Sequence, residues 1–138
     1  MIIRNPYYSL WADAIIYERA KNGKRRNWKY YTLLPISIFM GINYFTIAML
    51  IGKIFGIWIM FFLDVKISKF TVINHTISGI ITMILPFIIF NYFMIIYRNR
   101  YLEIINKHHH RHGKLYIGYI LTSLIISISF IWIQVAVQ

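Results

Sequence analysis

Three uncharged apolar runs constrain this chain more than any other feature of its sequence. They occupy residues 32–52, 76–97 and 115–137, and none contains Asp, Glu, Lys, Arg or His. At the rise of an α-helix each run is about 30 Å long, the thickness of the hydrocarbon core of a bilayer. A helix satisfies its own backbone hydrogen bonds in lipid, so the runs predict an all-α integral membrane protein, a bundle of three spans.

The composition agrees with that interpretation. Hydrophobic residues make up 59% of the chain and charged residues 14%, and the mean hydropathy is +0.58. A typical soluble domain carries about 25% charged residues. The sequence lacks cysteine, which excludes disulfides and thiolate chemistry from its functions.

The distribution of basic residues predicts the orientation of the spans. The net charge is +11, and of the 15 Lys and Arg residues seven precede the first run, three lie between the first two and five lie between the last two. By the positive-inside rule, the amino terminus is expected in the cytoplasm and the carboxyl terminus outside. Membrane orientation accounts for the charge, so we expect no nucleic-acid partner. The expected headgroup contacts are Lys24, Arg25, Arg26, Lys29, Arg98, Arg100 and Arg111.

We therefore predict a single membrane domain over residues 1–138. Its segments are a cytoplasmic basic head at 1–31, spans at 32–52, 76–97 and 115–137, an external interfacial segment at 53–75, and a cytoplasmic basic, histidine-rich loop at 98–114. The first thirty residues lack the apolar core of a cleavable signal peptide, so the first span is expected to serve as a retained signal anchor.

The head carries the signals of a short helix. Asn5 can cap it, Pro6 suits its first position, and Gly23 suits its end. Apolar and aromatic residues between these points, followed by the basic stretch KRRNWK, predict an amphipathic helix in the cytoplasmic membrane interface. A helix that docks on a partner is the alternative.

The connection at 53–75 is unusual because its centre is apolar. The stretch 54–63 is about ten residues long, too short to cross a bilayer, and charges follow it. It is expected to lie on the outer surface or to re-enter the bilayer. It either fills lipid space or contacts another membrane protein.

The segment NKHHHRHGK at 106–114 invites a metal-site interpretation. The second span is expected to continue as a helix that ends at Gly113, which would place His108 and His112 on one face with His109 nearby. The neighbouring Lys and Arg side chains repel a divalent cation, so we expect no metal and no cofactor at these weak candidates. A solvated turn and a phosphate or headgroup contact remain the two alternatives.

Small and polar residues recur at helical spacing within the spans. Such residues allow close helix approach in lipid, and the helix-packing or interaction candidates are Ser37, Gly41, Ala48, Gly52, Ser78, Thr82, Gly118 and Thr122. An adjoining stripe in the third span holds Tyr119, Ser123, Ser127 and Gln134, and Pro86 is expected to kink the second span. These faces either pack the three spans together or leave one stripe for another subunit.

The expected function is interaction rather than catalysis. The spans have no ionisable residue of the kind that marks pumps and ion-coupled transporters. The four carboxylates, Asp13, Glu18, Asp64 and Glu103, form no catalytic pairing motif, so we expect no enzyme. We expect contact with a membrane-protein partner or a homo-oligomer, through the Ser37, Gly41, Ala48 and Gly52 face or the 54–63 segment.

Three stretches carry a resemblance. SLWADAIIYERAKNGK, LPFIIFNYFMIIYRNRYLEI and GKLYIGYILTSL resemble a group of small uncharacterised bacterial multi-pass membrane proteins with a basic aromatic head. The resemblance implies a bacterial cytoplasmic membrane and no activity. In size, basicity and topology the chain is also similar to membrane-embedded bacteriocin immunity proteins, so a toxin-blocking role is one alternative. A homo-oligomeric pore or transport accessory subunit is the other.

Overall fold

A computed structural model describes residues 5–22, 27–56, 63–108 and 111–136. Within those ranges the protein is helical and has no β-strand. Three of its helices are long and apolar enough to cross a membrane: Trp28–Phe55, Thr71–Lys107 and Lys114–Ile133. The predicted helical class and the three predicted span-length helices are confirmed.

The head forms the predicted helix, α1, over Pro6–Asn22. Asn5 caps it, since its side-chain Oδ1 accepts a hydrogen bond from the backbone N–H of Tyr7 at 3.0 Å. The predicted stop at Gly23 lies outside the described residues. The first long helix, α2, covers Trp28–Phe55. It passes the predicted end of the first span and stops where Gly56 adopts a left-handed conformation, with φ of 65°.

The second long helix is built from several segments. α3 (Thr71–Gly79) leads into a π-helical turn over Ile80–Ile84, and α4 (Leu85–Asn91) leads into a second π-helical turn over Tyr92–Ile96. Pro86, the predicted kink, lies just after the first π turn. Proline cannot donate a backbone hydrogen bond, and a π turn accommodates the missing bond by widening the helix locally. The distortion expected at Pro86 therefore takes the form of a π turn.

The expectation of an unbroken helix from the second span to Gly113 is wrong. Arg98 and Asn99 both have left-handed backbone angles, with φ of 54° and 57°. Asn tolerates this conformation better than most residues, and the pair separates the apolar helix from α5, Arg100–Lys107. The break lets α5 turn its Ile104 side chain into the head, where it is buried.

The last helix, α6, covers Lys114–Ala136 and contains the predicted third span as far as it is described. α2 is the central helix, because it packs against α4 on one side and α6 on another. α4 and α6 are not packed extensively against each other within the described residues. The long helices thus leave a cleft beside α2.

The hydrophobic core lies at the basic end of the molecule. α1 packs against α2, α5 and α6, and its residues 11–15 are all almost completely buried. The other core members come from every neighbouring helix: Trp28, Leu33, Ile36, Ile95, Ile104 and Tyr116. A helix lying on a surface would leave one face open along its length. The predicted interfacial position of α1 stays a prediction, but its packing is that of an internal element of the head.

Candidate functional site

The carboxylate of Asp13 joins α1 to the start of α6. Asp13 is fully buried, and its two oxygens accept hydrogen bonds from the backbone N–H groups of Arg111, Gly113 (3.0 Å), Leu115 (2.8 Å) and Tyr116 (3.2 Å). The first N–H groups of a helix lack partners within the helix and carry a partial positive charge. Asp13 supplies both the missing acceptor and the negative charge, although it lies 100 residues away in the chain. No local sequence signal indicates this contact.

Gly113 allows this close approach. Its φ of 86° favours glycine, and a Cβ atom there would lie 2.3 Å from Cδ2 of the Tyr17 ring in α1. The ring of Tyr17 also packs on Tyr116, with centroids 5.9 Å apart. The turn before α6 is therefore fitted closely against the head helix.

The histidine cluster lacks the helical spacing that the metal hypothesis requires. α5 ends at Lys107, His108 has an extended backbone, and His112 has a positive φ of 52°. The ring of His108 packs against Tyr8, with centroids 5.5 Å apart. The weak candidate His109 lies outside the described residues. Among those that are described, no group of three His, Cys, Asp or Glu side chains is placed to hold a metal ion.

Several headgroup candidates pack against aromatic rings near the ends of the long helices. The Lys29 ammonium lies 5.3 Å from the Tyr101 ring centroid, and the Arg98 guanidinium 5.4 Å from that of Tyr97. Arg100 and Arg111 are exposed. Lys24, Arg25 and Arg26 lie outside the described residues. The observed arrangement suits amphipathic side chains at an interface, where the stem packs and the charge stays accessible.

A polar contact ties the amino end of α1 to the middle of the bundle. Asn91 of α4 is fully buried, accepts a hydrogen bond from the Tyr7 hydroxyl at 2.8 Å, and donates to Oγ of Ser37 in α2 at 2.9 Å. Burial raises the pKa of Tyr7 well above its usual value, so the hydroxyl stays protonated as a donor. Asn91 lies about 9 Å along the helix from Tyr97, toward the middle of the bundle. The contact between Tyr7 and Asn91 therefore places the amino end of α1 in the cleft between the long helices.

A second polar contact joins α2 to α6. The side-chain amide of Asn43 donates to Oγ of Ser123 at 2.9 Å and to the hydroxyl of Tyr119 at 3.3 Å. The predicted stripe in the third span thus faces the interior at these two positions, and Ser127 is half-buried. The side chain of Gln134 is outside the described residues. Asn43 gave no signal in the sequence, because a single amide in an apolar run has no periodic partner.

The small-residue face of the first span packs within the chain. Ser37 and Ala48 are buried, and Gly52 is half-buried near the end of α2. A Cβ atom at Gly41 would lie 2.6 Å from the carbonyl oxygen of Met83, in the π turn of the second helix. This face therefore allows the second helix to approach α2 closely, and it is not open to another protein at Gly41.

Ser78 and Thr82 hold an extended segment rather than a helix. The backbone N–H of Leu63 donates to Oγ1 of Thr82 at 3.1 Å, and that of Val65 donates to Oγ of Ser78 at 2.9 Å. Oδ1 of Asn74 accepts from the next alternate residue, Ile67, at 3.1 Å. Two residues of extended chain span about 6.7 Å and four residues of helix span about 6 Å, so the two periods match. We call this arrangement the hydroxyl ladder. Most of the predicted 54–63 segment, residues 57–62, lies outside the described ranges.

Gly118 and Thr122 are placed differently from the other candidates. Both are exposed, and no atom lies within 4 Å of a Cβ built at Gly118. At 100° per residue, Gly118 lies about 140° and Thr122 about 100° around the helix from the packed Ser123, on the exposed side of α6. The Thr122 hydroxyl makes no hydrogen bond within the described part of the chain, whereas that of Ser127 donates to the carbonyl of Ser123.

Comparison of the chain with protein-family models, with curated proteins and with solved structures finds no match. The function is therefore argued from the geometry of the site alone.

Proposed function

We propose that this chain is a non-enzymatic integral membrane protein that acts by helix contact, with a second copy or with a membrane-protein partner. The contact surface is the outer face of α6 around Gly118 and Thr122, which we call the α6 outer face. The proposal places the protein in the bacterial cytoplasmic membrane with the head inside.

The distribution of the small and polar residues supports the proposal. Gly41 and Ser37 contact the second helix, and Ser123 contacts α2. The α6 outer face has the same residue types, but Gly118 has open space beside it. In lipid, a small residue permits close backbone approach and a nearby hydroxyl adds a hydrogen bond of about 0.6 to 2 kcal/mol. The unused stripe is the observation that carries the proposal.

The state of three of the four carboxylates supports a role without catalysis; the fourth, Glu18, is buried in α1. Asp13 is saturated by backbone donors. Asp64 lies 3.8 Å from Lys66, and Glu103 pairs with Lys107 at 2.5 Å on an exposed helix. General acid–base catalysis needs a carboxylate directed at a substrate. These three are directed at groups of the chain itself.

The arrangement of the helix ends supports the proposed orientation. The basic segments before α2 and before α6 belong to the same end of the molecule, because α1 packs against both α5 and α6. In the sequence, the segments before the first span and between the second and third spans carry twelve of the 15 Lys and Arg residues. The positive-inside rule assigns such an end to the cytoplasm.

Cysteine cross-linking tests the contact directly, since the chain has no cysteine of its own. In native membranes, Thr122→Cys should form oxidised dimers or adducts with a partner. Ile89→Cys is the matched control, because Ile89 is 48% exposed on α4, a helix that does not pack extensively against α6 within the described residues. Equal cross-linking at both positions, or none at Thr122→Cys, would contradict the proposal.

A bulky replacement gives an independent test of the same face. Gly118→Leu with Thr122→Leu should reduce recovery of the complex while leaving insertion and monomer folding unchanged, because both positions are open. The recovered complex is measured by quantitative co-purification. Recovery equal to that of the wild type would remove the α6 outer face from the account.

A homo-oligomeric pore is the second candidate function. Polar side chains meet between the long helices, Asn43 of α2 with Ser123 of α6 and Asn91 of α4 with Ser37 of α2. If several copies assembled through α6, these groups could border a polar path. Liposomes containing the purified oligomer should then pass ions or small solutes, and the absence of flux from a demonstrated oligomer would reject this candidate.

A further inference from the structure

An open groove lies between α1, α2 and α6, with a volume of about 570 Å³. Its walls are largely apolar, with Leu10 from α1, Met40 from α2 and Leu115 from α6. Pro6, three hydroxyl-bearing residues (Tyr7, Ser9 and Tyr119) and one cation, Arg111, complete it. The volume falls within the range of about 300 to 1,000 Å³ that is usual for small-molecule sites.

The depth of the groove in the membrane indicates which class of ligand it can bind. Met40 and Tyr119 belong to the apolar runs of the first and third spans, so in the proposed membrane orientation this wall lies at the depth of lipid. Arg111 precedes α6 and lies at the basic end. The groove is therefore amphipathic, with a hydrocarbon-lined body and a cationic rim.

The fold fixes the backbone position of Arg111, the cation of the groove. The backbone N–H of Arg111 donates to Oδ1 of Asp13, which anchors the residue beside the groove. The Asp13 carboxylate is buried and already accepts four backbone hydrogen bonds, so it is not directed at the guanidinium as its ion-pair partner. Lys114 and His112 follow closely in the sequence and add no negative charge.

We propose that the groove binds one anionic phospholipid, with its phosphate at Arg111 and an acyl chain along Leu10, Met40 and Leu115. A guanidinium presents several donors in a plane that matches phosphate oxygens, and the surrounding basic charge favours an anionic headgroup. The apolar wall requires the acyl chain, so a soluble phosphate does not satisfy the site. The groove is lined by residues other than Gly118 and Thr122 of the α6 outer face.

Native mass spectrometry of the detergent-solubilised full chain tests the proposal. Phosphatidylglycerol and phosphatidylcholine with identical acyl chains are the probes. The wild type should retain one phosphatidylglycerol about tenfold more strongly than phosphatidylcholine. Both lipids have the phosphate, but phosphatidylcholine also brings a quaternary cation that the basic rim repels. Arg111→Gln should abolish the preference, and Arg111→Lys should keep part of it. Arg100→Gln is the control, since Arg100 is exposed at the same end but does not line the groove.

A second variant tests the acyl-chain part. Ser9→Trp fills the groove from α1 and should weaken retention of both lipids, with folding verified by circular dichroism. The proposal is overturned if Arg111→Gln keeps the wild-type preference or if Arg100→Gln loses it equally. It is also overturned if excess glycerol 3-phosphate displaces the lipid completely, because the phosphate alone would then account for binding.

Discussion

At the residue scale, one buried carboxylate determines how the head meets the bundle. Asp13 neutralises the start of α6 and is enclosed by α1. Four backbone donors depend on it, and two of them, at Gly113 and Tyr116, are buried. A buried donor without an acceptor costs about 1 to 3 kcal/mol.

We predict that Asp13→Ala lowers the free energy of unfolding by about 3 to 5 kcal/mol, because several buried donors lose their acceptor together. The measurement is unfolding in detergent, followed by circular dichroism. Asp64→Ala is the control. Asp64 is exposed and, within the described ranges, contacts Lys66 alone, so its loss should change stability by about 0.5 kcal/mol or less. Similar effects for both variants would show that Asp13 is not a structural cap.

Replacement of two glycines by alanine is expected to change the stability of the protein in opposite directions. Gly41→Ala places a methyl group against the Met83 carbonyl, 2.6 Å away, and should destabilise the protein by about 1 to 3 kcal/mol. Gly79→Ala meets no atom within 4 Å, and alanine is the better helix former by up to about 1 kcal/mol, so it should be neutral or stabilising. The same unfolding experiment checks both, and a neutral Gly41→Ala would mean that the two helices are farther apart than described.

At the scale of elements, the sequence predicted the long helices well because length and apolarity are local properties. α2 and α6 contain the predicted runs as far as they are described. The prediction failed at Arg98 and Asn99, where the backbone turns although no proline or glycine is present. It also could not assign Ser78 and Thr82, because a helix-packing stripe and the hydroxyl ladder have the same four-residue spacing. Only the segment that contacts Ser78 and Thr82 distinguishes the two arrangements, and the spacing of these residues does not reveal it.

The hydroxyl ladder makes a prediction of its own. Ser78→Ala with Thr82→Val should speed amide hydrogen exchange at Leu63 and Val65 about fivefold per lost bond, the equivalent of about 1 kcal/mol. Thr76→Val is the matched control, since the Thr76 hydroxyl donates within its own helix, to the Val72 carbonyl. Exchange rates that do not differ between the two variants would indicate that the extended segment is held by other contacts.

At the scale of the whole molecule, α2 organises the fold. It packs on the second helix through Gly41 and on α6 through Asn43, while α1 closes the cleft at the basic end. The uncharged runs were sufficient to predict the three span-length helices, because length and apolarity are local properties of each run. The sidedness taken from the charge distribution stays a prediction. The placement of α1 depends on Asp13 and Tyr7, which act across long sequence separations, and therefore could not be predicted.

The central claim is that three spans place the head and the 98–114 loop on the inner side and the 63–70 segment on the outer side. Labelling of single cysteines with a membrane-impermeant maleimide tests it most directly, because the chain has no native cysteine. Lys69 and Asn106 are both exposed. We predict that Lys69→Cys reacts in intact cells and that Asn106→Cys reacts only after the membrane is permeabilised. Labelling of Asn106→Cys in intact cells, or extraction of the protein without detergent, would contradict the account.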